Sequence, residues 1–562
     1  MKNRILAGGS LLLTLVAAWL GAQALAPTKP ASELMPAGAL FYMEAGNFAR
    51  LVSDWDSSPE KKAWLETPNY QAFQRSHLLT RLTEARKAYA EAAGVAEDAP
   101  MLAGVAGGDS AVAFYHIGKL EFLYITQISA ARFADSVLGK VKQKFEARKA
   151  GGRDYFVQSK GENTIAFALV DDRMILATRE DLIADSLKLL AGEKIATLRQ
   201  EPWFDGALAK APAGGARPDI RFIADLDRTT KTHQFRAYWV QRNVAEVRQF
   251  ATEVADLKFS GTEIREDRVF TRSEPQESLA AVEPAVADLL KYAPSDAGFY
   301  QALAKPSEED VTRPLAEKLF GHSRAMDRRY ENKIAPEAPG GPSLSGEDDY
   351  ETRTDTQQVV ETSIDLFAPL GALASNSDAM LQTGVSRVSG VLPSLGSAVV
   401  LHGVKQWKPQ DVKRALGQVA GALWSVAPSS LEWVDRNGSS ELNSVTPLRF
   451  TIEGNALVMS ASSQDWMARM LASRRNAPSR AGASYVASFR HAQELPGFER
   501  MMRLIDFPSL PQGQQSADAR EPLFFSENMA SLASAMGRLD SATITAHDTG
   551  AMVAETVVYR RK

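Results

Sequence analysis

The chain has no cysteine among its 562 residues. That excludes a disulfide framework, a thiolate metal site, a cysteine nucleophile and a lipid-attachment cysteine behind a leader. Stability must come from core burial. With 45% hydrophobic residues this is feasible, and the length suggests two or more domains. There is little net charge either: 64 basic residues stand against 68 acidic ones. A dedicated nucleic-acid binder carries a strongly positive footprint, so nucleic acid is excluded as the expected partner. Histidine is scarce, at seven residues. Beyond the N-terminus no stretch approaches the roughly 18 uninterrupted apolar residues of a membrane span.

The N-terminus has the layout of an export signal. Lys2 and Arg4 make a basic start, Ile5 to Leu20 is apolar, and Ala22-Gln23-Ala24 is a small-x-small cleavage triplet. Cleavage after Ala24 is expected. The rival reading is an uncleaved anchor, because the apolar character continues through Leu25 and Ala26. Both readings place the body outside the cytoplasm under the positive-inside rule. Residues 1–26 are therefore a signal peptide or a single N-terminal membrane anchor, and the expected location is the periplasm or the periplasmic face of the inner membrane.

An internal duplication organises the remainder. Leu34-Met35-Pro36-Ala37-Gly38-Ala39-Leu40-Phe41-Tyr42 opens one copy and Tyr292-Ala293-Pro294-Ser295-Asp296-Ala297-Gly298-Phe299-Tyr300 the other. Ser110-Ala111-Val112-Ala113-Phe114 is matched with Ser397-Ala398-Val399-Val400-Leu401, each followed by an amphipathic helix. In the first copy that helix carries Phe133, Val137, Leu138, Val141 and Phe145 on one face, and in the second Val412, Leu416, Val419 and Leu423. Hairpins turn at Asp171-Asp172 and at Gly454-Asn455, residues that tolerate positive φ. Helices after them start at Thr178-Arg179-Glu180-Asp181 and Ser462-Ser463-Gln464-Asp465, with a capping hydroxyl and an acid at the third position. Arg221 to Ala224 matches Ser484 to Ala487. Strand pairs close each copy: Asp256 to Thr262 with Arg268 to Arg272, and Ser541 to Ala546 with Met552 to Tyr559.

The expected fold class is α+β: two related lobes, 33–275 and 280–562, each an antiparallel sheet with packed helices. A long helix from Asn69 to Ala93, capped by Thr67 with Pro68 in its first turn, belongs to the first lobe. Residues 335–358, with Pro-Gly-Gly-Pro and the acidic run Glu347-Asp348-Asp349, form a flexible insert in the second.

The sequence offers no pattern that marks catalytic, cofactor-binding or metal-binding residues, and none are expected. His116 and His402 fall one position apart in the repeat, so on a strand they point to opposite faces and read as ordinary strand residues. There is no His-Glu-x-x-His, no phosphate-binding glycine loop and no Gly-x-Ser-x-Gly elbow. Gly107-Gly108-Asp109-Ser110 precedes a strand and reads as a turn. Ser58-Pro59-Glu60-Lys61 fits Ser-x-x-Lys, but its neighbours look loop-like. The acids Asp171-Asp172 and Glu308-Glu309-Asp310 read as a hairpin turn and a helix N-terminus. Met501, Met502, Phe507, Phe524, Phe525, Met529 and Met536 flank a loop-like stretch and could make an adaptable binding surface, with core packing the simpler reading.

The opening Leu-x-Pro-Ala with Asn47-Phe48-x-x-Leu51, the Ser-Ala-Val strand, and Val170-Asp171-Asp172-Arg173-Met174 running on to Leu190 resemble bacterial exported proteins grouped as domain of unknown function 3352. The element order is also similar to uncharacterised companions of bacterial α2-macroglobulins. The resemblance implies an envelope location and carries no catalytic residues. The expected function is a non-enzymatic binding or scaffolding protein with an envelope protein or surface partner. The alternatives are a hydrolase with a site in the inter-lobe cleft and a structural subunit held at the membrane by an uncleaved helix.

Overall fold

The computed structural model describes residues 29–67, 77–96, 106–212, 217–233, 247–321, 366–388, 393–424, 431–436, 438–442, 447–461, 466–476, 482–497 and 537–562, with isolated residues between them. The export segment, residues 335–358 and the methionine-aromatic segment from Met501 to Met536 lie outside the described residues. Among the described residues no helix is long and apolar enough to cross a membrane.

The strands of the N-terminal half are β1 (Phe41–Ala45), β2 (Ser110–His116), β3 (Glu121–Gln127), β4 (Glu146–Ala150), β5 (Arg153–Lys160), β6 (Asn163–Val170), β7 (Arg173–Ala177), β8 (Ile220–Asp225), β9 (Phe250–Phe259) and β10 (Glu263–Arg272). Those of the C-terminal half are β11 (Phe299–Ala304), β12 (Ser377–Val388), β13 (Pro393–Gly403), β14 (Trp433–Arg436), β15 (Ser439–Leu442), β16 (Leu448–Glu453), β17 (Ala456–Ser460), β18 (Tyr485–Phe489), β19 (Leu539–Asp548) and β20 (Met552–Arg561). All belong to one 20-stranded sheet, and every pairing in it is antiparallel. The halves meet where β10 pairs with β20, nine residues against nine. Outward from that ladder the N-terminal order is β10-β9-β8-β1-β2-β3-β7-β6-β5-β4. The C-terminal order is β20-β19-β18-β11-β12-β13-β17-β16-β15-β14.

The helices are α1 (Phe48–Ser57), α2 (Pro59–Leu65), α3 (His77–Ala92), α4 (Ala130–Asp135), α5 (Val137–Val141), α6 (Glu180–Leu190), α7 (Pro202–Ala209), α8 (Leu226–Lys231), α9 (Glu283–Leu290), α10 (Glu308–Leu319), α11 (Gly371–Ala374), α12 (Pro409–Trp424) and α13 (Trp466–Asn476). They cover both faces of the sheet, which explains why strands such as β7 and β17 are apolar at nearly every position instead of alternating. In the N-terminal half Ile125 and Ile175 pack with Leu182, Ile183 and Leu187 of α6 on one face. On the other, Tyr124, Phe167 and Met174 pack with Phe48 and Leu51 of α1 and with Phe133 and Leu138. In the C-terminal half α9 and α13 cover Leu381, Val400 and Val458, and α10, α11 and α12 cover Met380, Val399 and Leu457. This last core crosses the junction, joining Phe250 and Phe270 of one half to Tyr485, Ala546 and Val553 of the other.

Several local expectations are corrected. The amphipathic helix through Phe133 and Phe145 is two short helices and a 3-10 turn, and Phe145 is already extended. Ser136 breaks it: its backbone is extended, and its hydroxyl donates to the Phe133 carbonyl at 2.6 Å and accepts from the Gly139 amide at 3.0 Å. Thr178 does not cap α6. Its hydroxyl accepts from the Phe122 amide and donates to the Leu120 carbonyl, both at 2.9 Å, because β3 lies beside it. The Ser110 and Ser397 strands do not hold matching places. Ser110 lies in β2, beside β1, whereas Ser397 lies in β13, two strands from β11. Elsewhere the reading holds: Thr67 accepts from the Tyr70 amide at 3.2 Å, and Asp171 and Asp172 turn their hairpin with φ of 49° and 57°.

Candidate functional site

The densest chemistry among the described residues lies at the β10–β20 junction. Strand β10 reads Glu-Ile-Arg-Glu-Asp-Arg-Val-Phe-Thr-Arg, so charges fall on both of its faces at period two. Glu266, Arg268, Phe270 and Arg272 share one face. Arg268, about 5% exposed, donates to Glu266 at 2.6 Å along its own strand and to Glu555 of β20 at 3.3 Å. Glu555 stands directly opposite Arg268, and Glu253 of β9 opposite Phe270, one diagonal step from the guanidinium.

Burial pushes the Glu253 carboxyl up to about 7; Arg268 opposes the shift, and the neighbouring Glu266 and Glu555 add to it. Burial likewise raises the Tyr559 hydroxyl to about 12, with Glu266 adding to the shift. The Arg268 Nε has no hydrogen-bond partner, and neither do Nε and Nη1 of Arg272. Arg272 lies against the Phe250 ring, 5.5 Å from its centroid, and its remaining nitrogen pairs with Asp548.

The opposite face is also charged. Asp256 and Asp267 are direct cross-strand partners, a repulsive placement unless each has its own cation. Arg221 holds Asp256 in a two-pronged bond at 2.7 and 2.8 Å. Burial pushes the Asp267 carboxyl up, but bonds from Arg265 and Thr556 outweigh it and keep it below the ordinary carboxylate range.

A second cluster sits at the start of β12. Asp378 is the extra residue of a β-bulge, since Ser377 pairs with Gly403 and Ala379 with His402. The bulge aims its carboxylate at His402 Nδ1, 2.6 Å away, leaving both side chains partly exposed. Lys305, a non-glycine with φ 43°, donates its amide to the Asp378 carbonyl at 2.6 Å. A carboxylate at Nδ1 sets the ring's tautomer and orientation. A shallow hollow of about 420 Å³ lies over α9, lined by Glu283, Pro284, Asp288, Lys291 and Gly482. Its charges are paired, Lys291 with Asp288 at 2.8 Å and Glu283 with His547 at 3.1 Å.

The structure scatters the remaining motif residues. His116 Nδ1 accepts from the Lys119 amide in a turn, at 3.1 Å. Ser58 does have a helical setting, contrary to expectation: it caps α2, accepting from the Lys61 amide at 3.1 Å, while Lys61 Nζ pairs with Asp56. Gly107 and Ser110 join a buried hydroxyl network with Thr126, at 2.9 and 2.7 Å. Glu308 to Asp310 form the first turn of α10, where Asp310 and Ser307 cap each other. Among the described residues no group of three or more His, Cys, Asp or Glu could hold a metal ion.

Neither a protein-family model nor a curated protein matches the chain. Among solved structures, crystal form III of TP0453 is 10% identical, covering 47% of this chain and 87% of that one at a TM-score of 0.25. Crystal form I is 8% identical, covering 44% and 80% at a TM-score of 0.23. Likenesses at these scores carry no structural argument.

No sequence motif marks the junction residues. One signal was present: Glu266 and Arg268 occupy the same face of a strand whose next same-face residue is Phe270, an inward position for charge. The His402–Asp378 dyad left none, because a bulge cannot be read from composition.

Proposed function

We propose that the protein is an exported cell-envelope scaffold or binding protein, built by duplication of a ten-strand unit. The observation that carries this reading is the strand order. Nine steps outward from the junction follow the same sequence of hairpins and crossovers on each side. A duplicated sheet joined edge to edge makes a broad, helix-covered body, a shape suited to spanning or presenting partners. The N-terminal basic-apolar-small layout supports delivery across a membrane, and the resemblance to domain of unknown function 3352 supports an envelope setting.

The outer strands β4 and β14 leave one row of backbone groups each unpaired in this sheet. In β4 the residues Glu146, Arg148 and Lys149 blunt that edge with charge. The test is native: fractionate the producing cell, sequence the N-terminus of the recovered protein and cross-link it in place. Recovery from the envelope, starting at Leu25 or retained at Met1 as an anchored form, with reproducible cross-links to one envelope component, supports the reading. Recovery from the cytoplasm sinks it.

A hydrolase is a second reading, with the bulge-held His402–Asp378 dyad in its favour. Replacing His402 by Ala must then abolish hydrolysis of an ester or peptide panel by the purified protein. A panel untouched by the wild type rejects this reading.

A further inference from the structure

We propose that the β10–β20 junction is a proton-gated coupling between the two halves, in which ionised Glu253 competes with Glu555 for Arg268 and so loosens the ladder. Arg268 is the one guanidinium among the described residues that bonds an acid of each half, and its two bonds are unequal: 2.6 Å to Glu266 within the strand, 3.3 Å to Glu555 across the junction. The longer bond is the one a competitor displaces. Glu253 is placed to compete, on the same sheet face and one diagonal step away, and the Arg268 Nε is without a partner.

Other charges around β9 have partners of their own or, like Lys258, lie on its opposite face near Asp267. On β8 and α8, Arg221 holds Asp256, Arg228 holds Asp225 and Glu201, and Lys231 holds Asp227. On β10, Arg265 holds Asp267, and Arg272 holds Asp548 of β19. On β20 the facing groups are Glu555 and Tyr559. Three carboxylates, Glu253, Glu266 and Glu555, therefore face Arg268. A proton on Glu253 leaves Arg268 to grip both halves; its loss adds a negative charge to a partly buried, already acidic spot. The junction is where such a change is transmitted, since β10–β20 is the only ladder joining the halves among the described residues.

The test is hydrogen exchange on the full-length protein, reading the peptides that contain β10 and β20 at pH 5.5 and 8.5 and correcting for intrinsic exchange. Wild type should lose protection there by about tenfold at the higher pH, equivalent to roughly 1.4 kcal/mol of opening. Glu253→Gln should be protected equally at both pH values, and Glu555→Gln should be poorly protected at both. Wild-type protection that does not change with pH overturns the proposal without any variant. So does a Glu253→Gln protein that keeps the wild-type pH response.

Discussion

Arg272 of β10 and Asp548 at the end of β19 pair across the junction with side chains only 6% and 10% exposed. The same carboxylate accepts from the Gly550 amide at 2.8 Å, so it also shapes the turn into β20. Removing one member of a buried pair leaves the other uncompensated, at a cost of about 3–5 kcal/mol. Asp548→Ala should therefore lower the urea midpoint strongly. The pair Arg272→Met with Asp548→Asn should recover much of that loss, since it removes both charges and keeps an acceptor for Gly550. A single variant as stable as wild type would show that the pair is not enclosed.

Glu253 gives a pH dependence whose sign follows from its raised folded-state value. An unfolded glutamate titrates near ~4.3, and in the folded chain Glu253 titrates at about 7. Between those values the folded state holds the proton and the unfolded state releases it. Stability from this group is complete below the lower value and is lost as pH rises through the higher one, by on the order of 3–4 kcal/mol. Urea midpoints measured from pH 4.5 to 8 should fall, relative to those of Glu253→Gln, across that window. A constant difference between the two proteins contradicts the assignment.

Local pattern was legible where local forces decide. The Asp171-Asp172 hairpin, the α12 stripe of Val412, Leu416 and Val419, and the helix N-terminus at Glu308-Glu309-Asp310 are each settled within a few residues of chain. Where competition comes from elsewhere the pattern misleads. Thr178 has the right spacing for a helix cap, but β3 offers its hydroxyl a backbone amide and carbonyl. Ser-Ala-Val recurs in β2 and β13 because any strand covered on both faces favours such residues, so the likeness reports environment and not place. Arg268 and Glu555 lie 287 residues apart, and no periodicity links them. The junction therefore becomes readable only after the sheet is assembled.

Two glycines should respond oppositely to alanine. A Cβ on Gly107 would lie 1.7 Å from the Gln127 carbonyl oxygen and 2.4 Å from Thr126 Oγ1, at the entry to β2. Backbone must move to admit it, so Gly107→Ala should cost more than ~2 kcal/mol. Gly206 lies inside α7 with nothing within 4 Å of the added carbon. Gly206→Ala should stabilise by about 0.5–1 kcal/mol through helix propensity and a less flexible unfolded chain. Thermal midpoints of the two variants should move apart; a Gly107→Ala protein as stable as wild type would reject the packing described there.

The broken helix between β3 and β4 makes the last prediction. Ser136 ends α4 and starts α5 with one hydroxyl, so Ser136→Ala should cost ~1 kcal/mol, as loss of a cap does. Gly139 is held more tightly: a Cβ there would lie 2.1 Å from the Phe133 carbonyl oxygen and 2.8 Å from that of Ala134. If the segment were one continuous helix, alanine at 139 would be favourable by propensity. With the break it must be the more damaging of the two substitutions, because Phe133 and Leu138 on either side are both core residues and cannot shift to make room. Urea denaturation of both variants decides it: a Gly139→Ala protein more stable than wild type would mean the chain is continuous there, as the spacing of its apolar residues alone suggests.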